Sequence, residues 1–377
     1  HKAIRRQRQM CIRDSNNITT RPYDSFYDYV KEIPQSETVL MDTKVVNYRI
    51  CSSIAPAVKV VDAEDPTVLM KAIKNETQIE NIRKAHIKDA VAMCRFMYWL
   101  KTNVGKIPMT EISASDYLEK LRREQENCLD LSFATICGYA DHGAIVHYAA
   151  TPESDVSLKP EGLLLVDSGG HYLEGTTDIT RTFALGPVTD EMKDMFTRVC
   201  RSNMNLAHAK FKYGCCGLNF DILARAPFWD INMDYNHGTG HGVGFVLNVH
   251  EGPNSFHWKQ YPGRTAERVL EEGMITTDEP GIYLEGKFGI RTENELICRK
   301  GIKNEYGQFM YFENVTYVPI DLDAIDPDQM SPQEKKYLND YHAMVYKKIA
   351  PLLEKDEAEW LKEYTRAVSY THLTLPT

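Results

Sequence analysis

No stretch of this sequence approaches the ~20 apolar residues of a membrane-spanning helix, which argues against a multispan membrane protein. Positive charge is short too. In 377 residues, 44 Lys and Arg stand against 53 Asp and Glu, a formal net charge of −9. An acidic chain is a poor candidate for broad, non-specific nucleic-acid binding. Short-period repeats, heptad arrays and low-complexity tracts are missing, so solenoids, coiled coils and fibres are set aside. No secretory leader is legible, and the nine cysteines read as reduced thiols of a cytoplasmic protein. What remains is ordinary: 43% hydrophobic and 26% charged residues describe a globular chain long enough for two or three domains.

The two ends read as foreign. Arg5 to Ser15 is RRQRQMCIRDS and Val368 to Thr377 is VSYTHLTLPT. Both match translations of a transposon-type sequencing adapter, one from each strand, so residues 1–15 and 368–377 are expected to be scars. Removing them takes out Lys2, Arg5, Arg6, Arg8 and Arg13 and one acid, Asp14. The remainder holds 39 bases against 52 acids, nearer −13. The genuine segment is then Asn16 to Ala367, with a break expected at Asp62–Pro66 (DAEDP).

Hydrophobic spacing predicts a short helix over PYDSFYDYVKEI and one or two strands over ETVLMDTKVVNYRICSSI. From Glu76 it turns helical, with Ile79, Ile82, His86, Met93, Met97 and Leu100 on one face, and a second helix follows over about Thr110–Glu126. Strands are expected at LSFATICGY, GAIVHYAA, EGLLLVDSGG and TDITRTFAL. Helices follow over about Asp190–Phe211 and Leu218–Trp229. Strands then resume at GFVLNVHEGP, GMITTDEPGIYL, FGIRTENELICR and FMYFENVTYVPI. Helices near Pro332–Ile349 and Glu354–Tyr364 close the chain. Hairpin strands with interspersed helices make this an α+β fold rather than a parallel α/β one.

Several acids fall where burial is expected. Asp167 follows the apolar run Leu163–Val166, and a turn leads on to Asp178. Glu279 ends the strand Met274–Thr277, and Glu293 lies between Ile290 and Leu296. Carboxylates converging from buried strands repel and resist ionising unless something positive sits between them. Arg291 is too little charge for four of them. His237 and His241 are four apart in HGTGHGVG. The glycines exclude the zinc-binding helix that this spacing superficially suggests, and no Glu follows the first His as HExxH requires. Asp167, Asp178, His241, Glu279 and Glu293 make a carboxylate-rich set with one imidazole and no thiolate. Such donors favour Mn²⁺, with Co²⁺ or Zn²⁺ less clearly indicated. Four carboxylates balance two divalent ions, which in pairs activate water and clamp an oxyanion.

In order, GAIVHY, LLLVDSGG, GTTDITRT, HGTGHGVG, LNVHEGP, TDEPGIY and FGIRTEN resemble the motifs of the pita-bread metallopeptidases. They look most like the Xaa-Pro aminopeptidases of the long, three-domain cytosolic type. The resemblance covers about Val68 to Ala367. It implies a pita-bread catalytic domain over 68–367, preceded over 16–67 by the remnant of a creatinase-type N-terminal domain. It also implies removal of the first residue from peptides with proline second, through a hydroxide bridging two metal ions. Asp167 would bind one ion, His241 and Glu279 the other, with Asp178 and Glu293 bridging. His147, His237 and His250 match substrate and catalytic histidines, Arg291 an arginine that orients the site, and Tyr283 an aromatic beside the metals. Proline-containing peptides are the implied partners, and pairing through the catalytic domain into a homodimer is expected, with Trp229 near the interface.

Prolidase, which shares the chemistry but takes Xaa-Pro dipeptides, is the nearest alternative. A non-catalytic pita-bread peptide-binding protein is a further one, although such proteins usually lose metal ligands. Methionine aminopeptidase does not fit the LNVHEGP stretch. Cys215 and Cys216 read as incidental loop thiols, Asp321, Asp323 and Asp326 as a solvated loop, and His86 and His208 as surface or core residues. Asp278 has no assignable role.

Overall fold

The computed structural model describes residues 19–260 and 268–368. The expected scars therefore lie outside the described residues, save for Val368. The chain divides into two compact units, residues 1–68 and 69–377.

The described part of the first unit holds helix α1 (Phe26–Lys31), strand β1 (Thr38–Met41), helix α2 (Tyr48–Ser53) and strand β2 (Lys59–Asp62). β1 and β2 pair in parallel. The segment expected to continue as strand through Ile54 is instead helical over Tyr48–Ser53. The reason is local: the Asn47 side chain accepts from the Ile50 N–H, capping a helix start. Within this unit only Val30 and Val58 are buried apolar side chains among the described residues, and Tyr23 and Tyr48 are openly exposed.

Short helix α3 (Pro66–Ala72) leads into the second unit and its long helix α4 (Glu76–Asn103). An Asn75–Gln78 capping box starts α4. All six residues of its predicted stripe are buried, His86 included. A Thr110–Ser113 box starts α5 (Glu111–Arg123). Strands β3 (Cys128–Leu131), β4 (Ile136–Tyr139), β5 (Leu163–Ser168), β6 (Gly170–Tyr172), β7 (Gly175–Thr176) and β8 (Ile179–Ala184) follow. Next come α6 (Asp190–Ala207), β9 (Lys210–Lys212), α7 (Asp221–Trp229), β10 (Gly240–His241) and β11 (Ser255–Phe256). The unit ends with β12 (Ile275–Asp278), β13 (Gly281–Leu284), β14 (Phe288–Arg291), β15 (Asn294–Asn304), β16 (Gly307–Asn314), α8 (Pro332–Ile349) and α9 (Lys355–Tyr364).

Every named ladder in this unit is antiparallel, in the orders β12-β15-β16-β9, β4-β5-β8, β3-β6-β7, β13-β14 and β10-β11. The α+β class therefore stands. One core forms where the apolar face of α4 meets β5 and β8, with Phe96 edge-on to Phe183 at 5.9 Å. A second packs α6 and α8 against β13 and β14 through Phe196, Val199, Ile282, Ile290, Leu338 and Val345.

Two expected strands are not strands. GAIVHYAA, residues 143–150, takes in the end of a 3-10 turn over Ala140–Ala144 and is loop thereafter. GFVLNVHEGP is loop, because its backbone folds on itself: Gly244 N–H donates to Asn248 O and Glu251 N–H to Gly242 O. The acids at 321, 323 and 326 also depart from a solvated loop. Asp321 is buried and paired with Lys101, which reaches Asp323 as well, and both Asp321 and Asp326 cap short 3-10 turns.

Candidate metal centre

The carboxylates arrive from strand ends. Asp167 lies opposite Thr180 in the β5–β8 ladder, with Asp178 just ahead of β8. Glu279 follows β12, and its N–H donates to Thr239 O. Glu293 sits between β14 and β15, and its N–H donates to Thr180 O. These backbone bonds stitch four strand ends around one point. Ligand atoms of Asp178, His241 and Glu293 lie within 4.8 Å of one another. His241 Nε2 is 3.4 Å from Asp178 Oδ2 and 3.5 Å from Glu279 Oε1. Arg291 Nη2 donates to Asp167 Oδ2 at 2.7 Å, while Asp167 Oδ1 is buried without a hydrogen bond.

The glycines around His241 let backbones touch. A Cβ on Gly240 would sit 1.8 Å from Thr277 O. That contact holds β10 against β12, and Thr277 Oγ1 accepts from the His241 N–H. His241 Nδ1 is 2.9 Å from Gly242 O. A carbonyl only accepts, so Nδ1 carries a proton and Nε2 is the ring atom turned toward the carboxylates. His237 is held similarly. Its Nδ1 donates to Gly238 O at 2.7 Å, and its Nε2 faces Tyr283 Oη at 2.9 Å. Tyr283 Oη in turn accepts from Arg291 Nη1 at 2.7 Å. The His250 ring meets His241 edge to face at 4.0 Å.

The electrostatics follow from crowding. Burial, then the charges of Asp167 and Glu279, push the Asp178 carboxyl well above its ordinary range. Burial and Asp178 do the same to Glu293. Burial pushes His237 and His250 down, with His241 adding to the effect at His250. The Asp178 and Glu293 carboxyls resist ionising because they are buried among further carboxylates, Asp167 and Glu279, with too little positive charge beside them. Together with the orphaned Asp167 oxygen, this donor set fits a pair of hard or borderline divalent ions. All five predicted ligands line one cleft of about 580 Å³, joined by His147, His237, His250 and Arg291. Tyr283 does not line it but hydrogen-bonds to two residues that do.

Other residues of the cleft were not singled out from sequence. Phe133, Ile136, Val146, Asn236, Val249 and His257 also line it. Beneath it, Glu295 is fully buried and its Oε1 accepts from the Asp178 N–H at 2.8 Å. His86 stands 3.2 Å from the other Glu295 oxygen, so this helix residue is buried against a carboxylate directly behind a predicted ligand. Buried Lys74 donates to Val243 O at 2.6 Å, gripping the loop that leads from His241. Asp278, next to Glu279, is wholly buried with both oxygens unpartnered.

An antiparallel α+β unit closing four carboxylates and an imidazole around one cleft defines a metallopeptidase of the pita-bread type. The model of metallopeptidase family M24 matches residues 80–300, that of the C-terminal region of peptidase M24 residues 308–368, and that of the creatinase/prolidase N-terminal domain residues 2–78. The chain belongs to metallopeptidase family M24. It is 38% identical over 357 residues to a probable Xaa-Pro aminopeptidase P of Laccaria bicolor, covering 92% of this chain and 55% of that protein. It is 37% identical to Xaa-Pro aminopeptidase 1 of Dictyostelium discoideum, covering 92% of this chain and 56% of that one. Among solved structures it matches X-prolyl aminopeptidase of Caenorhabditis elegans, described as a cytosolic enzyme with a di-nuclear active site. That match has a TM-score of 0.87 and 31% identity, over 96% of this chain and 60% of the other. The chain thus spans little more than half the length of these relatives.

Proposed function

We propose that this chain carries the catalytic centre of an Xaa-Pro aminopeptidase, which removes the first residue from peptides with proline in second position. The observation that carries the reading is the convergence of Asp167, Asp178, His241, Glu279 and Glu293 on one cleft. The named relatives and the di-nuclear C. elegans enzyme support it. Asp167 would hold one ion, His241 and Glu279 the other, and Asp178 and Glu293 both. Mn²⁺ is the proposed metal. When bound, the pair supplies Lewis acidity and lowers the pKa of a water.

The rest falls to the chain. A bond before proline has a tertiary amide nitrogen, which must be protonated to leave. Glu279 takes a proton from the attacking water and delivers it to that nitrogen. The open His250 donates to the carbonyl oxygen as charge develops there. His237 has its Nδ1 proton committed to Gly238 O and its Nε2 facing a phenol. A neutral, pinned imidazole suits a wall for the proline ring. Arg291 holds both Asp167 and Tyr283, fixing that wall relative to the ligands. His147 meets the peptide at the mouth. The α-amine lies beside Asp167.

The proposed organisation has the catalytic domain over 68–367 and a partial creatinase-type domain over 16–67, with cytoplasmic location and homodimer formation through the catalytic domain. The test is hydrolysis of an Xaa-Pro-Xaa tripeptide and an Xaa-Pro dipeptide after chelation, with and without added Mn²⁺. Metal-dependent cleavage of the tripeptide is expected. Cleavage of the dipeptide alone makes the chain a prolidase, and cleavage of neither, with no metal bound, makes it a binding protein. Glu279→Gln should lower kcat by roughly a thousandfold, within the range for losing a general acid–base; His241→Ala should abolish turnover by removing a ligand.

A further inference from the structure

His147 stands exposed at the mouth of the cleft, and its ring has no hydrogen-bond partner among the described residues. An exposed imidazole finds one position only if the backbone beneath it is fixed. One side chain grips the segment that presents it, Tyr139–Tyr148, at three points. Glu111, the first residue of α5, is fully buried with both oxygens occupied. Oε1 accepts from the Tyr139 N–H at 2.7 Å and lies 2.9 Å from His142 Nδ1. Oε2 accepts from Tyr148 Oη at 2.9 Å and lies 3.1 Å from the same His142 nitrogen. A carboxylate suits this place, because it sits at the positive end of a helix.

The grip spans the loop. Tyr139 is its first residue, His142 its middle and Tyr148 its last, next to His147 in sequence. The His142 and Tyr148 rings also pack at 4.5 Å. Ala140 is held at φ +52°, a left-handed conformation that a non-glycine residue keeps only when its surroundings impose it. On the other side, the backbone of Gly143 lies against that of Gly289 in β14, the strand that carries Arg291.

We propose that Glu111 is a positioning residue for His147: its carboxylate clamps the Tyr139–Tyr148 loop and so sets where the His147 imidazole meets the bound peptide. The inference rests on the Xaa-Pro reading for the substrate, but the clamp can be read without turnover.

Two variants test it. Glu111→Gln turns one acceptor into a donor facing donors, and Tyr148→Phe removes that hydroxyl's bonds to Glu111 and Ser154 while keeping the ring. Each should raise KM for an Xaa-Pro-Xaa peptide at least tenfold with a smaller change in kcat. In a His147→Ala background, neither should cost anything further. Additive losses overturn the inference, since they mean that Glu111 acts on the fold at large rather than through His147. In the metal-free protein, the His147 ring resonances in NMR spectra should shift and broaden in both variants. Unchanged His147 resonances overturn it whatever the activity. A parent protein that cleaves no Xaa-Pro bond refutes the functional reading instead and leaves the resonance test in force. Should Glu111→Gln not fold, Tyr148→Phe alone decides.

Discussion

His342 is an imidazole kept neutral by its surroundings. It is wholly buried on α8, and its Nε2 accepts from the Ile320 N–H. Burial first, then the positive charges of Arg181 and Arg366, push it down to about 3. Unfolded, it would titrate near 6.5. The unfolded chain therefore binds a proton that the folded one refuses, and stability from this residue is complete above about pH 6.5 and drains as pH falls toward 3. Each pH unit inside that window costs about 1.4 kcal/mol. His342→Gln keeps an acceptor for Ile320 and cannot titrate, so its denaturant midpoint should fall less steeply than the parent's between pH 6 and 4. Parallel slopes would refute this. At this scale, legibility depended on whether a residue's partner was near in sequence. The five proposed metal donors each sit in a local motif at a strand end or glycine loop, so their shared place in one cleft could be anticipated there. Glu295 could not be read, because His86 and the Asp178 N–H, which explain it, lie more than 100 residues away. Glu111 was hidden for the same reason, with partners 28 to 37 residues on.

β10 is two residues long, pairs with β11 and rests against β12. Gly240 touches Thr277 O, His241 N–H donates to Thr277 Oγ1, and Gly242 bridges Thr276. Gly240→Ala puts a methyl where backbone already is and must lift β10, carrying His241 away from Asp178 and Glu279. Displaced supporting groups of this kind cost about 10- to 100-fold in metal affinity. Chelator competition should show a loss at least that large with the far-ultraviolet spectrum unchanged, and an unaltered affinity would sink the argument. Elements with long periodic stripes were legible: α4 begins at Glu76 and buries the expected face. Short apolar runs were not. GAIVHYAA has a strand-like composition, but its tyrosine, Tyr148, is bonded to the buried Glu111. NYRICSS reads as strand until Asn47 is recognised as a cap. In both, one polar contact outweighs an intrinsic preference for strand that spans only ~1 kcal/mol.

Over the whole molecule, antiparallel ladders and flanking helices hold a cleft whose acids repel one another. Among the described residues lining the cleft, Asp167, Asp178, Glu279 and Glu293 face one buried guanidinium, Arg291. Filling the cleft with divalent cation should therefore stabilise the fold as well as equip it. A ligand at a thousandfold excess over its Kd adds about 4 kcal/mol. Calorimetry after chelation should show a clear rise in Tm on adding Mn²⁺ and none on adding K⁺; equal melting points would mean that the cations do not bind. The α+β class was legible because hairpin spacing and helical stripes survive without tertiary knowledge. The way loops interlock was not, because backbone-to-backbone contact leaves no mark in hydrophobic pattern. The meeting of Gly143 and Gly289 is such a contact, and it is lopsided. A Cβ on Gly143 would come no nearer than 3.2 Å to its neighbours, whereas one on Gly289 would land 1.7 Å from Gly143 O. A library aimed at altered peptide preference can therefore admit alanine at position 143, where the neighbouring backbone need give only a few tenths of an ångström, but must hold 289 constant. There even the smallest added side chain would part the His147 loop from the strand bearing Arg291, so the route to new specificity runs through one side of this seam only.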